Sequence, residues 1–438
     1  MLLIFRILII IVLEVISYPA RFTHGAIVEN GPSLTLEQCY ELTLARSEII
    51  ASQMELINQA EEHILEHRAS FSPMVNFSSN LTTQQTSDNP ILQSVFSANQ
   101  ATAQVTAKEN LFNGFRDFAV VRQKSSEKEA ARYAKAGAEV RLFEDTAQAF
   151  YNVLAYEHDI SNYENEIAAN QKRKEDLKAR IRVAQARESD LVSVESAIAS
   201  LEAILSNTMG LLSVAREVLA FLTGLPKNTV IVDVEMYPEP LGELEKWMES
   251  YEKRPDILEA KWNLNAAERG VHAAQGGYYP SVDLLADYYL TRPGLYSGIN
   301  WDLQLNITLP LFSGGLTQSQ VRDAESQMRQ KETILSQTKR EAERDIRSTY
   351  NMLKADLIQV SKLEKAAELA QRNYELLLKD NQSGNVSNID LLQALANAHQ
   401  LKRGRDHARF NAKFDYARLQ AVSSARNLSG PRDPGVNR

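Results

Sequence analysis

The sequence predicts an elongated, mixed α and β membrane protein in which long helices and paired strands are laid down twice. Three observations carry this: a run from Gly315 to Gly384 with no Pro or Gly between, a second copy of the same pattern 200 residues earlier, and a strand whose polar and apolar residues alternate without a break. From Ile346 the apolar side chains step by 4, 3, 4 and 3 through Tyr350, Leu353, Leu357 and Val360. They resume at Leu363, Ala367, Ala370, Tyr374 and Leu377, which is a coiled-coil seam with a stammer. At ~1.5 Å per residue the run makes a rod roughly 100 Å long, more than any compact domain requires.

The earlier copy is recognised by its landmarks. Leu111-Phe112-Asn113-Gly114 answers Leu311-Phe312-Ser313-Gly314, Tyr151-Asn152-Val153-Leu154 answers Tyr350-Asn351-Met352-Leu353, and Asp190-Leu191 answers Asp390-Leu391. The chain is therefore a tandem structural repeat with a long period. It divides into a first repeat at 34–225, a connector at 226–245 marked by Pro226, Pro238 and Pro240, and a second repeat at 246–428. Each repeat reads as helix, two strands, long helix and return helix. A disordered tail is expected at 429–438.

Residues 1–26 read as a signal peptide: Arg6, an apolar run from Ile7 to Leu13, then small and polar residues. An uncleaved anchor is the competing reading, although a span needs ~20 apolar residues. No other segment reads as a transmembrane helix, so membrane insertion falls to strands, the other structure that satisfies its backbone in lipid.

In chain order, Thr35 caps a helix expected to run to about Arg68, and Phe71-Ser72-Pro73 stops it. Strands are expected from Met74 to Thr86 and Ser97 to Leu111, then from Ser281 to Thr291 and Asn300 to Leu309. In the last, Trp301, Leu303, Leu305 and Ile307 alternate with Asp302, Gln304, Asn306 and Thr308. A length of ~10 residues matches one bilayer crossing by a tilted strand, with the first set facing lipid and the second a wet lumen. A half-buried strand of a soluble sheet has the same period; the signal peptide and the rods favour the membrane. Tyr278, Tyr279, Tyr288, Tyr289, Tyr296 and Trp301 fit an interfacial aromatic girdle and fit ordinary packing equally. Four strands cannot close a barrel, since small barrels need about eight, so several copies must share one sheet.

Other classes are disfavoured. The net charge of −8 comes from interspersed charges of both signs, without the basic stripe that nucleic acid demands. The single cysteine, Cys39, forms no intrachain disulfide, lacks a lipid-attachment context and reads as a packed helix residue. His63-Ile64-Leu65-Glu66-His67 matches the inverted zinc-protease pattern, but no third ligand is evident and the other repeat carries Gly270, Ala273 and Ala274 there. With no phosphate loop, dinucleotide fingerprint or nucleophile elbow, neither an enzyme, a metal nor a cofactor is expected.

Leu34-Thr35-Leu36-Glu37, Arg254-Pro255-Asp256, Pro310-Leu311-Phe312-Ser313-Gly314-Gly315, and Gly384 through Asp390-Leu391-Leu392 occur in an order that resembles the TolC-like outer-membrane efflux proteins. The resemblance covers essentially all of the chain after the signal peptide. It implies a homotrimer in which each protomer gives four strands to a shared transmembrane antiparallel β-barrel and its helices to a hollow α-helical coiled-coil barrel crossing the periplasm. Such a trimer is a passive outer-membrane exit duct of a tripartite efflux or type I secretion system, served by a periplasmic adaptor and an inner-membrane pump.

The resemblance also places a gate at Asp190 and Asp390, and adaptor docking at a tip formed by Ala184, Ser189, Gly384, Ser387 and Leu391. Asn381 and Val386 stand where the family often has an aromatic residue and an arginine, and Gln393 replaces a second carboxylate, so the latch must differ. Ser387-x-x-Asp390 fits a helix cap as well as a gate, and small residues suit a tight turn whether or not a partner docks there. A non-conducting periplasmic coiled-coil structural or filament protein is the competing function; it explains the rods but not the amphipathic strand pairs.

Overall fold

The computed structural model describes residues 33–85, 98–234, 236, 241–383 and 385–423. The signal peptide, the tail, Pro238, Pro240 and Gly384 lie outside these.

Helix α1 (Leu36–Arg46) opens on a reciprocal cap: the Thr35 hydroxyl accepts from the Gln38 N–H, and the Gln38 side chain accepts from the Thr35 N–H at 3.0 Å. The single helix expected to Arg68 is two helices. Ser47 leaves helical geometry (φ −61°, ψ 115°), and its hydroxyl accepts from the Ile50 N–H to start α2 (Glu48–Arg68). Strands β1 (Met74–Thr83) and β2 (Asn99–Asn113) follow, then the long α3 (Arg116–Arg182) and its return helix α4 (Glu188–Thr223). A short α5 (Leu244–Met248) leads to α6 (Pro255–Gln275), which Pro255 starts. Strands β3 (Ser281–Thr291) and β4 (Trp301–Thr308), the rod α7 (Leu316–Gln382) and return helix α8 (Asn388–Val422) complete the second copy. Both rods have 67 residues, so the repeat is metrically faithful.

The four strands form one antiparallel sheet in the order β1-β2-β3-β4. Among the described residues no strand pairs with the outer edge of β1 or of β4. No helix covers the sheet's apolar face either: Phe77, Leu81, Trp301, Leu303, Leu305 and Ile307 stand 57% to 71% exposed. A soluble half-buried sheet would have covered them.

Below the sheet the helices pack in two regimes. Leu36, Tyr40, Phe143, Phe150, Leu219 and Phe410 form a core that ties α1, α3, α4 and α8 together, with the Tyr40 and Phe143 rings edge to face at 5.2 Å. The connector joins this core: the Leu34 N–H donates to the Val230 carbonyl at 3.0 Å and the Val232 N–H to the Leu34 carbonyl at 2.9 Å. Each rod also pairs with its own return helix through an apolar seam, the α7–α8 seam beginning at the level of this core and the α3–α4 seam lying further down. Ile346, Leu353 and Val360 of α7 meet Ala408, Ala412 and Leu419 of α8, while Ile167 and Leu177 of α3 meet Val194 and Ile198 of α4.

Beyond the expected strands, one described helix, α4, is long and apolar enough to cross a membrane by length and composition. Apolar periodicity did not single it out because its apolar residues lie all round it. Its C-terminal end packs on Phe143 and Phe150, about 40 Å along α3 from the sheet at ~1.5 Å per residue, so one bilayer cannot hold both.

The α7–α8 seam contains a buried carboxyl group that titrates. Asp415 is buried and hydrogen-bonded to Asp356, and burial first, then that neighbour, push its carboxyl up to about 7 against the pull of Arg418. The folded chain thus keeps a proton that the unfolded chain releases. The associated stability is whole below about pH 4 and is lost as the pH rises to about 7. Asp415→Asn should remove that slope: melting curves should show the wild type losing up to about 4 kcal/mol relative to the variant between pH 4 and 8, at ~1.4 kcal/mol per pK unit. Parallel pH profiles would refute the assignment.

Candidate functional site

Two regions hold the residues expected to act, the sheet and the tips of the hairpins 100 Å away by rod length, taken at ~1.5 Å per residue. In the sheet, register decides the faces. Trp301, Leu303, Leu305 and Ile307 lie opposite Tyr288, Ala286, Leu284 and Val282, and the same face continues through Val105 and Ala107 to Phe77 and Val75. Glu109, opposite Leu284 near the helices, is its one charged member among these pairs.

The other face carries Asp302, Gln304, Asn306 and Thr308, continued by Asp287, Asp283, Thr106, Lys108, Asn76 and Ser78. Its carboxylates are held in place. Arg292 pairs with Asp302 at 3.3 Å and Lys108 with Asp283 at 3.7 Å, while the Thr106 hydroxyl donates to Asp287. Arg292 also stacks on the Tyr289 ring, 4.0 Å from its centre.

At the tips, the two α-to-α turns repeat one another. The Gln185 N–H donates to the Arg180 carbonyl at 2.8 Å and the Asn385 N–H to the Asp380 carbonyl at 3.0 Å. Ala184 takes the left-handed conformation (φ 59°) that closes the first turn. Asp190 and Asp390 both act as caps of the return helices: Asp190 accepts from the Arg187 N–H at 3.3 Å, and the Ser387 hydroxyl donates to Asp390 at 2.6 Å while accepting from its N–H at 3.2 Å. Ala184, Ser189 and Ser387 are exposed. Leu391 is not; at 3% exposure it packs inward and supports the tip from beneath instead of offering a contact. Gly384 lies outside the described residues.

The second turn is joined to the first through Arg173 and Asn388, which sequence reasoning missed, together with Asn381, which it had marked as a departure. Arg173 on α3 donates to the Asn388 side chain at 3.0 Å and the Asn381 side chain at 2.5 Å. Asn381 donates to the Val386 carbonyl at 2.8 Å, and Asn388 to the Asp190 carbonyl at 3.2 Å. Burial lowers the pKa of Arg173, with Asp176 at 3.1 Å acting against that. The positions flagged as departures, Asn381 and Val386, are therefore parts of a different fastening.

Arg173 ends a polar ladder between α3 and α8. Above it Glu166 pairs with Arg403 at 2.6 Å, Asn162 donates to Asp406 at 3.1 Å, and Asp159 holds His407 at 2.7 Å. A signal was present: Asp159, Asn162, Glu166, Asn170 and Arg173 step by 3, 4, 4 and 3, the spacing of a buried seam written in polar residues. By contrast the His63 and Glu66 side chains of the protease-like pattern close on each other at 3.2 Å on an exposed surface.

A family model described as outer membrane efflux protein matches residues 39–225 and 248–423, which is nearly all of both repeats. The chain belongs to the outer membrane efflux protein family. Its place is the outer membrane. This family member is 23% identical to the outer membrane protein TolC of Escherichia coli (strain K12) over 309 residues, 65% of the chain and 62% of TolC. It is 25% identical over 147 residues to the cation efflux system protein CusC of the same organism, 32% of each chain. Both alignments span less than two thirds of these relatives. The fold agrees over more of the length: a crystal structure of CusC superposes with a TM-score of 0.78 at 16% identity, covering 89% of this chain and 91% of CusC. The outer membrane protein VceC of Vibrio cholerae superposes at 0.76 and 20% identity, covering 89% and 96%.

Proposed function

We propose that this efflux protein is one of three identical subunits of a passive, water-filled outlet through which an inner-membrane pump expels solutes. The observation that carries the reading is a four-stranded sheet with a continuous bare apolar face and two unpaired edges, set on 67-residue rods. Lipid tolerates no open edge, so copies must join edge to edge. Lipid then meets Trp301, Leu303, Leu305 and Ile307, while Asp302, Gln304, Asn306 and Thr308 line the water. Val214, Val218 and Phe221 of α4, exposed on the single chain, supply apolar surface for helices to pack between copies.

The same packing pattern suits a gate. Each hairpin has an apolar seam of its own, whereas below the upper core the two hairpins meet mainly through the polar ladder, whose groups water can satisfy once they part. Leu392 of α8 is an apolar contact on the α3–α4 seam. Hairpins can therefore swing as units from the upper core. Three copies of Asp190 and Asp390 around a narrow opening would concentrate negative potential and favour cations, and their capping role holds the carboxylates at the tip. Ala184, Ser189 and Ser387 present small residues to a periplasmic adaptor, which couples the outlet to the pump.

Planar-bilayer conductance tests both parts. Purified protein should form pores that prefer cations, and Asp390→Ala should reduce that preference several-fold at unchanged protein stability. Absence of pores would remove the outlet. An unaltered preference in the variant would leave the outlet and remove Asp390 from its selectivity.

A further inference from the structure

We propose that the groove between the start of α3 and the end of α6 binds the phosphate headgroup of a phospholipid in the periplasmic-side leaflet, through Arg122, Arg269 and His272. The inference rests on the sheet being the membrane-embedded part. The groove encloses about 530 Å³ and is lined by those three residues with Phe115, Phe118 and Tyr279.

Its upper wall continues the lipid face. Phe112 lies opposite Val282, which in turn lies opposite Ile307. The Phe115 ring meets Phe112 edge-on at 5.0 Å and faces Tyr279 at 6.5 Å, while Phe118 contacts Phe71 at 4.7 Å. An acyl chain lying on the sheet would thus run without a break into an aromatic collar. Arg122 sits six residues beyond the first residue of α3, a drop of ~9 Å at ~1.5 Å per residue. The headgroup layer outside the hydrocarbon is about 5–8 Å deep on each side, and the long Arg122 side chain, leaning back toward the N-terminus of its helix, would reach up into it.

Two further observations point to an anionic, lipid-borne ligand. Arg122 and Arg269 make no ion pair among the described residues, whereas Arg173 and Arg403 each hold a carboxylate. Unpaired guanidinium groups facing one cavity match the forked geometry of a phosphate. Phe115 itself is held in the left-handed conformation (φ 62°), where the second repeat uses Gly315 (φ 87°). A bulky residue is strained there, and Phe115 stays 62% exposed although its ring touches Phe112 and Tyr279, so contacts within the chain cover only part of it. An acyl chain on the lipid face would cover the rest.

The test compares detergent-purified wild type with Arg122→Gln/Arg269→Gln by native mass spectrometry, and by melting with added phosphatidylglycerol or with inorganic phosphate. Wild type should retain phospholipid and gain several degrees from phosphatidylglycerol but none from phosphate. The double variant should retain at least tenfold less. Phe115→Gly, which relieves the strain, should melt higher in detergent alone yet also retain less lipid, so the inference stays testable if the double variant folds poorly. Equal retention in all three proteins, or equal stabilisation by inorganic phosphate, would overturn it. Conductance separates the two levels: a double variant that forms normal pores but keeps its lipid sinks this site alone, whereas a wild type without pores sinks the outlet.

Discussion

Leu303→Arg is expected to abolish assembly in the outer membrane, while Gln304→Arg, one residue along, leaves it intact. Leu303 lies opposite Ala286, midway along β3, so its side chain falls near the centre of the apolar face. An arginine on the lipid side at mid-depth costs about 2–4 kcal/mol per copy, and a three-fold assembly incurs it three times. Gln304 lies on the opposite face beside Leu285, where a charge meets water. Membrane fractionation with unheated and heated gel samples reads both effects. If the two variants behaved alike, the sheet would not be sided as described.

Arg173→Leu should release the tips. The change removes the bonds to Asn381 and Asn388 and leaves the amide oxygens of two buried side chains, each with 6% exposure, without their donor. Leaving buried polar groups without partners costs roughly 1–3 kcal/mol apiece, so a destabilisation of about 3 kcal/mol is expected, with a several-fold rise in single-channel conductance. A triple variant, Arg173→Leu with Asn381→Leu and Asn388→Leu, should recover most of the stability because no polar group is then stranded. It should still conduct like the single variant, since only the long Arg180 contact to the Asn381 backbone carbonyl, at 3.4 Å, then bonds the turns to each other. Unchanged conductance in both would show that the ladder is structural and that closure lies elsewhere.

Much of this was legible before any coordinates. The rod α7, the alternation of β4 and the tandem copy depend on spacing within a few turns or a few residues of strand, and local spacing is what a sequence displays directly. The single helix expected to Arg68 differs from the structure because a serine inside an amphipathic pattern looks like a solvent-facing residue until its backbone is seen to leave the helix at Ser47. Leu391 was misjudged for a related reason: proximity to a tight turn says nothing about which way a side chain faces.

The rods, the two-faced strands and their duplication follow from the order of residues, because periodicity alone specifies which face of an element is apolar. How the hairpins are fastened depends on which distant residues the fold brings together. Arg403 meets Glu166 across 237 positions and Asn388 meets Arg173 across 215, and a polar residue at a seam position acquires meaning when the side chain that satisfies it is known. Burial without a partner is costly and burial with one is specific, so these distant pairings set which parts of the protein stay together and which can part.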